Sequence, residues 1–176
     1  MARIPYADLS NPATHNIVER IVAERGSVLH LYQMLLHSLP LAEGWLTYLT
    51  AIRQKLEIKG SIREMVIIRV ALINGAEYEA EQHTPIAVKE GMSLEQVMAL
   101  ASWEKSELFD DDEKAVLALT DEMTLHVQVR KDTFERVLGK YGQSTTVELI
   151  ATIAAYNMVS RVIEALEISV KDAREL

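Results

Sequence analysis

The chain of 176 residues contains no cysteine. Disulfide bonds, thiolate nucleophiles and cysteine-ligated metal sites are therefore excluded from its chemistry. The chain also lacks a block of basic residues, and its formal net charge is −8 at pH 7. Because a nucleic-acid backbone and an anionic membrane both attract basic proteins, we expect no nucleic acid and no membrane as partner. A small-molecule substrate or another protein remains.

Long apolar runs are scarce as well. The longest one, Met65 to Ile73, is interrupted by Arg69 and is too short to cross a bilayer. The first 16 residues do not combine a basic region with an apolar segment, so no secretory signal is visible and we expect a cytoplasmic protein. The content of 49% hydrophobic and 25% charged residues is typical of a globular chain, and the length predicts a single domain over residues 1–176.

Glycine and proline are also few, with seven and four residues. The apolar residues between them recur at steps of three and four, which predicts an all-α fold, a single-domain helical bundle. The predicted helices cover residues 12–24, 27–38, 42–56, 62–73, 76–90, 93–101, 110–126, 131–141 and 144–168.

The predicted helix 62–73 is apolar almost all round, so it should be the central, buried helix. It nevertheless contains Glu64 and Arg69. An isolated buried charge is very costly, so each of them must be paired, capped or exposed. Ser61 and Glu64 have the spacing of an N-terminal capping box, which predicts a structural role for Glu64.

The next predicted helix, in the stretch INGAEYEAEQHTPIA, carries three glutamates and a histidine. At about 100° per residue, Glu79 and His83 fall on an alanine-rich, packed face, while Glu77 and Glu81 face solvent. A glutamate and a histidine one turn apart on a packed face can exchange protons, because burial and mutual charge shift their pKa values. The alternative is a structural histidine tethered by a glutamate. Pro85 either kinks this helix or begins a new one.

Several of these motifs resemble the carboxymuconolactone decarboxylase superfamily, which includes the alkylhydroperoxidase D branch. The resemblance covers roughly residues 27–168 and rests on REMVIIRVA from Arg63, GAEYEAEQH from Gly75, DDEKAVLALTDEMT from Asp111 and YNMVSR from Tyr156. It implies an all-α fold and homo-oligomers, commonly trimers or hexamers.

In the peroxidase branch, a glutamate, a Cys-x-x-Cys pair and a histidine form a proton relay. By position, the glutamate corresponds to Glu64 and the histidine to His83, whereas the two cysteines fall on Ala76 and Glu79. Without a thiol, thiol peroxidase activity is not expected to carry over. What the resemblance leaves is a proton relay with a carboxylate in place of its redox centre.

These observations predict a cofactor-independent lyase, decarboxylase or isomerase, with a small carboxylic acid or lactone as the substrate class that the resemblance implies. His83 is the predicted general acid and base, Glu79 its orienting or second proton-transfer group, and Glu64 its support. We expect Tyr78 and Trp103 to line the substrate pocket. We expect no cofactor and no metal, since two ligands on one turn with an uncertain third make an incomplete metal site. The alternative is a non-catalytic oligomeric binding or assembly protein.

Overall fold

The computed structural model describes residues 2–172, which contain α-helices, two 3₁₀ helices and no strand. The α-helices are α1 (His15–Arg25), α2 (His30–Leu35), α3 (Leu39–Gln54), α4 (Gly60–Asn74), α5 (Glu77–Lys89), α6 (Leu94–Ala99), α7 (Asp111–His126) and α8 (Lys131–Leu166). The 3₁₀ helices are Pro12–Thr14 and Leu100–Lys105. The all-α prediction is confirmed.

Several predicted helix ends follow from local chemistry. Asn11 caps the Pro12–Thr14 helix by accepting from the Ala13 amide, and Gly26 and Gly75 end α1 and α4 in the left-handed conformation that glycine adopts without strain. Asp110 forms a capping box with Glu113 at the start of α7. These ends confirm that the helix boundaries are largely a local property of the chain.

Three predictions about local structure need correction or refinement. Helix α4 begins at Gly60 with Lys59 as its N-cap and no side-chain capping bond, so the capping box at Ser61 and Glu64 is wrong. The predicted helix 27–38 is reduced to the short α2. The predicted helices 131–141 and 144–168 are joined in α8 across Gly142, whose backbone (φ 71°, ψ 178°) is not helical.

The described chain forms two compact units. The first comprises residues 2–55 with 163–172, and the prediction of a single domain stays a prediction. In this unit α3 packs against α1 and α2. The two ends of the described chain also meet there, since the Arg3 amide donates to the Leu166 carbonyl and Tyr6 donates to Asp172.

The second unit, Leu56–Val162, is built around α4. This helix packs against both α5 and α7, and most of its residues are buried. The prediction that it is the buried central helix is therefore confirmed. By length and composition α8 would suffice to cross a membrane, but core helices of soluble proteins meet the same test. Its residues Leu149, Ile153 and Val159 are fully buried.

Candidate active site

The predicted acid–base residues lie on two neighbouring helices of the second unit. Glu64 is on the second turn of α4, and Glu79 and His83 are on α5. The tight turn at Gly75 joins these helices, and their packing brings Glu64 against His83 across 19 positions of sequence. Glu77 and Glu81 are exposed, as predicted from the helical periodicity. Helix α5 continues through Pro85.

The three side chains form one buried group. His83 Nδ1 is 2.5 Å from Glu64 Oε2, and its Nε2 is 3.1 Å from Glu79 Oε1. Glu64 is 0% exposed, Glu79 5% and His83 4%. A neutral imidazole donates from one nitrogen only, so a ring that faces a carboxylate oxygen on each side is held as the doubly donating imidazolium.

A second layer of residues fixes this group from the Glu64 side. Arg63 Nε donates to Glu64 Oε1 at 3.0 Å, and Arg63 Nη2 lies 3.6 Å from Glu90 Oε1. The Tyr156 ring contacts the His83 ring edge to face, with the centroids 5.2 Å apart. Both oxygens of Glu64 are therefore engaged. By contrast, only Oε1 of Glu79 has a hydrogen-bonding partner within residues 2–172.

Burial and hydrogen bonding act in opposite directions on the proton affinity of His83. Burial lowers its pKa, but the hydrogen bonds and negative charges of Glu64 and Glu79 outweigh burial and raise the pKa from 6.5 to about 8. For Glu64, burial raises the pKa, but His83 and Arg63 outweigh it and lower the pKa below its ordinary value. At pH 7 the group thus holds a proton on the ring and a negative charge on Glu64.

The structure brings Glu64, Glu79 and His83 together, but it does not place both predicted pocket residues with them. Tyr78 is buried on α5 beside Glu79. Trp103 belongs to another cluster, where its indole Nε1 donates to Asp121 Oδ2 at 3.0 Å. The roles of Tyr78 and Trp103 in substrate binding stay predictions.

Asp121 is also the ion-pair partner of Arg69 in α4. Arg69 donates from Nε and Nη2 to the two oxygens of Asp121, both at 2.7 Å, and from Nη1 to the Leu100 carbonyl at 2.9 Å. Of the three alternatives for Arg69, paired, capped or exposed, the structure shows the paired one. This cluster borders an open depression of about 610 Å³, which is lined by Trp103, Ala118, Asp121, Glu122, His126, Gln128, Val129 and Arg130. None of the three predicted acid–base residues lines it.

Two residues of the site were not identified from the sequence alone. Arg63 directly precedes Glu64, and Tyr156 begins the YNMVSR motif, so both stood in stretches that already carried a family resemblance. Their contacts with Glu64 and His83 depend on helix packing that no local pattern encodes. In the part of the chain that the structure describes, no group of three or more histidine, aspartate or glutamate side chains is arranged to hold a metal ion.

Comparison with known proteins supports the resemblance. Residues 40–122 match the sequence pattern of the carboxymuconolactone decarboxylase family. The uncharacterized protein YdfG of Bacillus subtilis is 29% identical over 107 residues, which cover 60% of this chain and 73% of YdfG.

Two solved structures share the fold. A peroxidase-related protein of Ralstonia eutropha JMP134, described as an alkylhydroperoxidase AhpD core, matches with a TM-score of 0.82 at 15% identity, over 97% of this chain and 93% of that one. A cysteine-to-alanine variant of the debrominase Bmp8, in complex with 2,3,4-tribromopyrrole, matches with a TM-score of 0.82 at 16% identity, over 97% and 94%. At such low identity these structures establish the fold alone. The match of residues 40–122 to the family pattern confirms the predicted resemblance.

Proposed function

We propose that this protein, whose residues 40–122 match the sequence pattern of the carboxymuconolactone decarboxylase family, is a cofactor-independent acid–base enzyme. It acts as a lyase, decarboxylase or isomerase on a small carboxylic acid or lactone. The single observation that carries the proposal is the buried His83, held between the carboxylates of Glu64 and Glu79. The substrate class rests on the family resemblance.

These reactions share one step. When CO₂ leaves a carbon next to a carbonyl group, or when the Glu79 carboxylate accepts a proton from such a carbon, the electron pair remains on the substrate as an enolate. Completing the reaction requires a proton for the new C–H bond. His83 holds such a proton at pH 7, because the two carboxylates raise its pKa to about 8.

Glu64 and Glu79 differ in how many of their carboxylate oxygens have partners, and we infer their roles from this difference. Glu64 has both oxygens occupied, by His83 and Arg63, so it anchors the ring. Glu79 has one oxygen on His83 Nε2 and no described partner for the other, so it is the group that can reach the substrate. In this scheme the proton passes from His83 Nε2 to Glu79 and from Glu79 to the substrate carbon. The ring regains a proton from solvent after product release.

A carbon-acid assay tests the proposal in whichever direction the reaction runs. The protein is incubated in D₂O with a panel of small lactones and ring-opened carboxylic acids, and deuterium incorporation at carbon and CO₂ release are measured by NMR. We expect His83→Gln to lower the rate by about 100-fold or more, the usual contribution of a general acid. Helicity and oligomeric state should stay as in the wild type.

The matched comparison is Glu79→Gln against Glu81→Gln, because both residues lie on α5 but only Glu79 contacts His83. Glu79→Gln should lose turnover, and Glu81→Gln should keep it. Equal turnover in the His83→Gln variant and the wild type would refute the acid–base assignment.

A second candidate function is a non-catalytic oligomeric binding or assembly protein. The burial of the three side chains favours this second function, since Glu64, Glu79 and His83 are each at most 5% exposed. In that case the His83→Gln and Glu79→Gln variants would dissociate or melt early, and the substrate panel would give no turnover with the wild type. A homo-oligomer, a trimer or hexamer, is expected for both candidates, and size-exclusion chromatography with light scattering measures it. A cytoplasmic location remains part of the proposal.

Thiol peroxidase activity is not proposed. This chain has no cysteine, and Ala76 and Glu79 stand where the resemblance places the thiols. The carboxylate of Glu79 can move a proton, but it cannot form the disulfide that such a peroxidase needs.

A further inference from the structure

The first compact unit contains a buried cationic group that the acid–base proposal does not use. We call it the Arg25 cluster, and it consists of Glu24, Arg25, Tyr32, Thr50 and Arg53. Glu24 and Arg25 end α1, Tyr32 lies on α2, and Thr50 and Arg53 lie on the last two turns of α3.

Arg25 is buried with too few acceptors. Its side chain is 2% exposed. Its Nη2 donates to Thr50 Oγ1 at 2.8 Å and its Nη1 to the Glu24 carbonyl at 3.1 Å, while the Glu24 carboxylate stays 3.9 Å from Nη1. The Nε–H has no acceptor. A guanidinium group carries five N–H donors, and a buried donor without a partner is costly, so this site lacks an acceptor.

Two neighbouring side chains lack an acceptor as well. The Arg25 guanidinium lies over the Tyr32 ring, 5.7 Å from its centroid, and the buried Tyr32 hydroxyl makes no hydrogen bond. Burial raises the pKa of Tyr32, and the positive charge and hydrogen-bonding donors of Arg25, followed by the positive charge of Arg53, oppose that rise. An N–H of Arg25 can only donate to the Tyr32 oxygen, so the hydroxyl proton itself still has no acceptor. Arg53 is half-buried and has no ion-pair partner within residues 2–172.

The charges of the cluster do not balance. Arg25 and Arg53 contribute two positive charges, and Glu24 contributes one negative charge. The Glu24 carboxylate also accepts a hydrogen bond from the Thr50 hydroxyl and lies 3.9 Å from the Arg20 guanidinium. This excess of positive charge stands out in a chain with a net charge of −8. A monoanion restores neutrality, whereas a phosphate dianion would add a negative charge in a buried setting at a high desolvation cost.

We propose that the Arg25 cluster binds a small carboxylate, which accepts hydrogen bonds from Arg25 Nε–H and the Tyr32 hydroxyl and pairs with Arg53. Planar carboxylates match the guanidinium geometry. The site lies in a different compact unit from His83, and the inference stands independently of the proposed enzymatic function.

Acetate and its neutral isostere acetamide are the probes, titrated into the full-length protein at constant ionic strength with sodium chloride. The readout is the ¹H–¹⁵N resonance of Arg25 Nε, which is assigned by its loss in Arg25→Lys. We expect a saturable shift with acetate and no shift with acetamide. A response to acetamide equal to that of acetate, or no saturable shift with acetate, would overturn the proposal.

Variants of the other two donors test the assignment separately from folding. Tyr32→Phe and Arg53→Gln should each raise the Kd for acetate at least about fivefold, since each removes a donor or charge from the anion. The control Tyr48→Phe replaces an exposed tyrosine of α3 and should leave the Kd unchanged. An unchanged Kd in both Tyr32→Phe and Arg53→Gln would refute the site. If Tyr32→Phe does not fold, the half-buried Arg53 still provides the test.

Discussion

Because His83 is buried between two carboxylates, we expect the stability of this protein to depend on pH in the neutral to alkaline range. The pKa of His83 is about 8 in the folded protein and 6.5 in an unfolded chain. A group whose pKa is raised by folding contributes stability that is complete below the unfolded pKa and is lost as the pH rises through the folded pKa. We therefore expect the free energy of unfolding to fall between about pH 6.5 and pH 8.

The size of this effect follows from the same two pKa values. Their difference is about 1.5, and each pKa unit corresponds to 1.36 kcal/mol, so the loss amounts to about 2 kcal/mol. That is a substantial part of the 5–15 kcal/mol typical of a folded domain. His83 is buried, so solvent screening does not reduce the effect as it would for a surface ion pair.

Urea unfolding at pH 6, 7, 8 and 9.5 measures the effect. The loss of about 2 kcal/mol should be present in the wild type and absent in His83→Gln, whose side chain does not titrate. His126→Gln is the matched control, because His126 is an exposed histidine at the end of α7. The same pH dependence in His83→Gln and the wild type, or a wild-type stability that rises over this range, would refute the reasoning.

Three further predictions concern other charged groups. Replacing Glu79 with Gln removes one of the two carboxylates that hold the imidazolium, so NMR titration should find the His83 pKa below 8, whereas a substitution at Glu81 should not change it. Arg69→Met leaves the Asp121 carboxylate without its cationic partner and should destabilise the fold by about 3–5 kcal/mol in urea unfolding. The double variant Arg69→Met/Asp121→Leu should recover most of that loss, and failure to recover it would contradict the ion-pair explanation. Burial and nearby acidic charges raise the pKa of Tyr141 to about 12, so its tyrosinate absorbance should appear only near pH 12 and should be missing in Tyr141→Phe.

The buried group of Glu64, Glu79 and His83 is not an efficient way to stabilise a protein. Removing charges from water costs several kcal/mol per ion, and apolar residues of similar volume often replace such groups without loss of stability. The core of this protein keeps three titratable side chains despite that cost, which favours the proposed use of the His83 proton. The substitutions proposed at His83 and Glu79 test that explanation against a purely structural one.

Much of this protein is predictable from local patterns. Apolar spacing predicts the helices because a buried stripe must recur every 3.6 residues, and capping residues such as Asn11 and Asp110 mark helix starts because their side chains satisfy free amides. The separation of Glu79 and His83 from Glu77 and Glu81 also follows from one helix alone. Where local patterns were ambiguous, as at Glu64, the prediction of a capping box was wrong.

Composition and helical periodicity are enough to predict the all-α class, the absence of thiol chemistry and the face of α5 that carries Glu79 and His83. Helix packing is needed to show that Glu64 bonds to His83 and makes no cap, and that Trp103 joins Arg69 and Asp121 instead. The difference lies in the range of the interactions. Periodicity and capping act within a few residues, whereas a carboxylate selects its partner from whatever helix packing brings within about 3 Å, and that packing depends on the whole core.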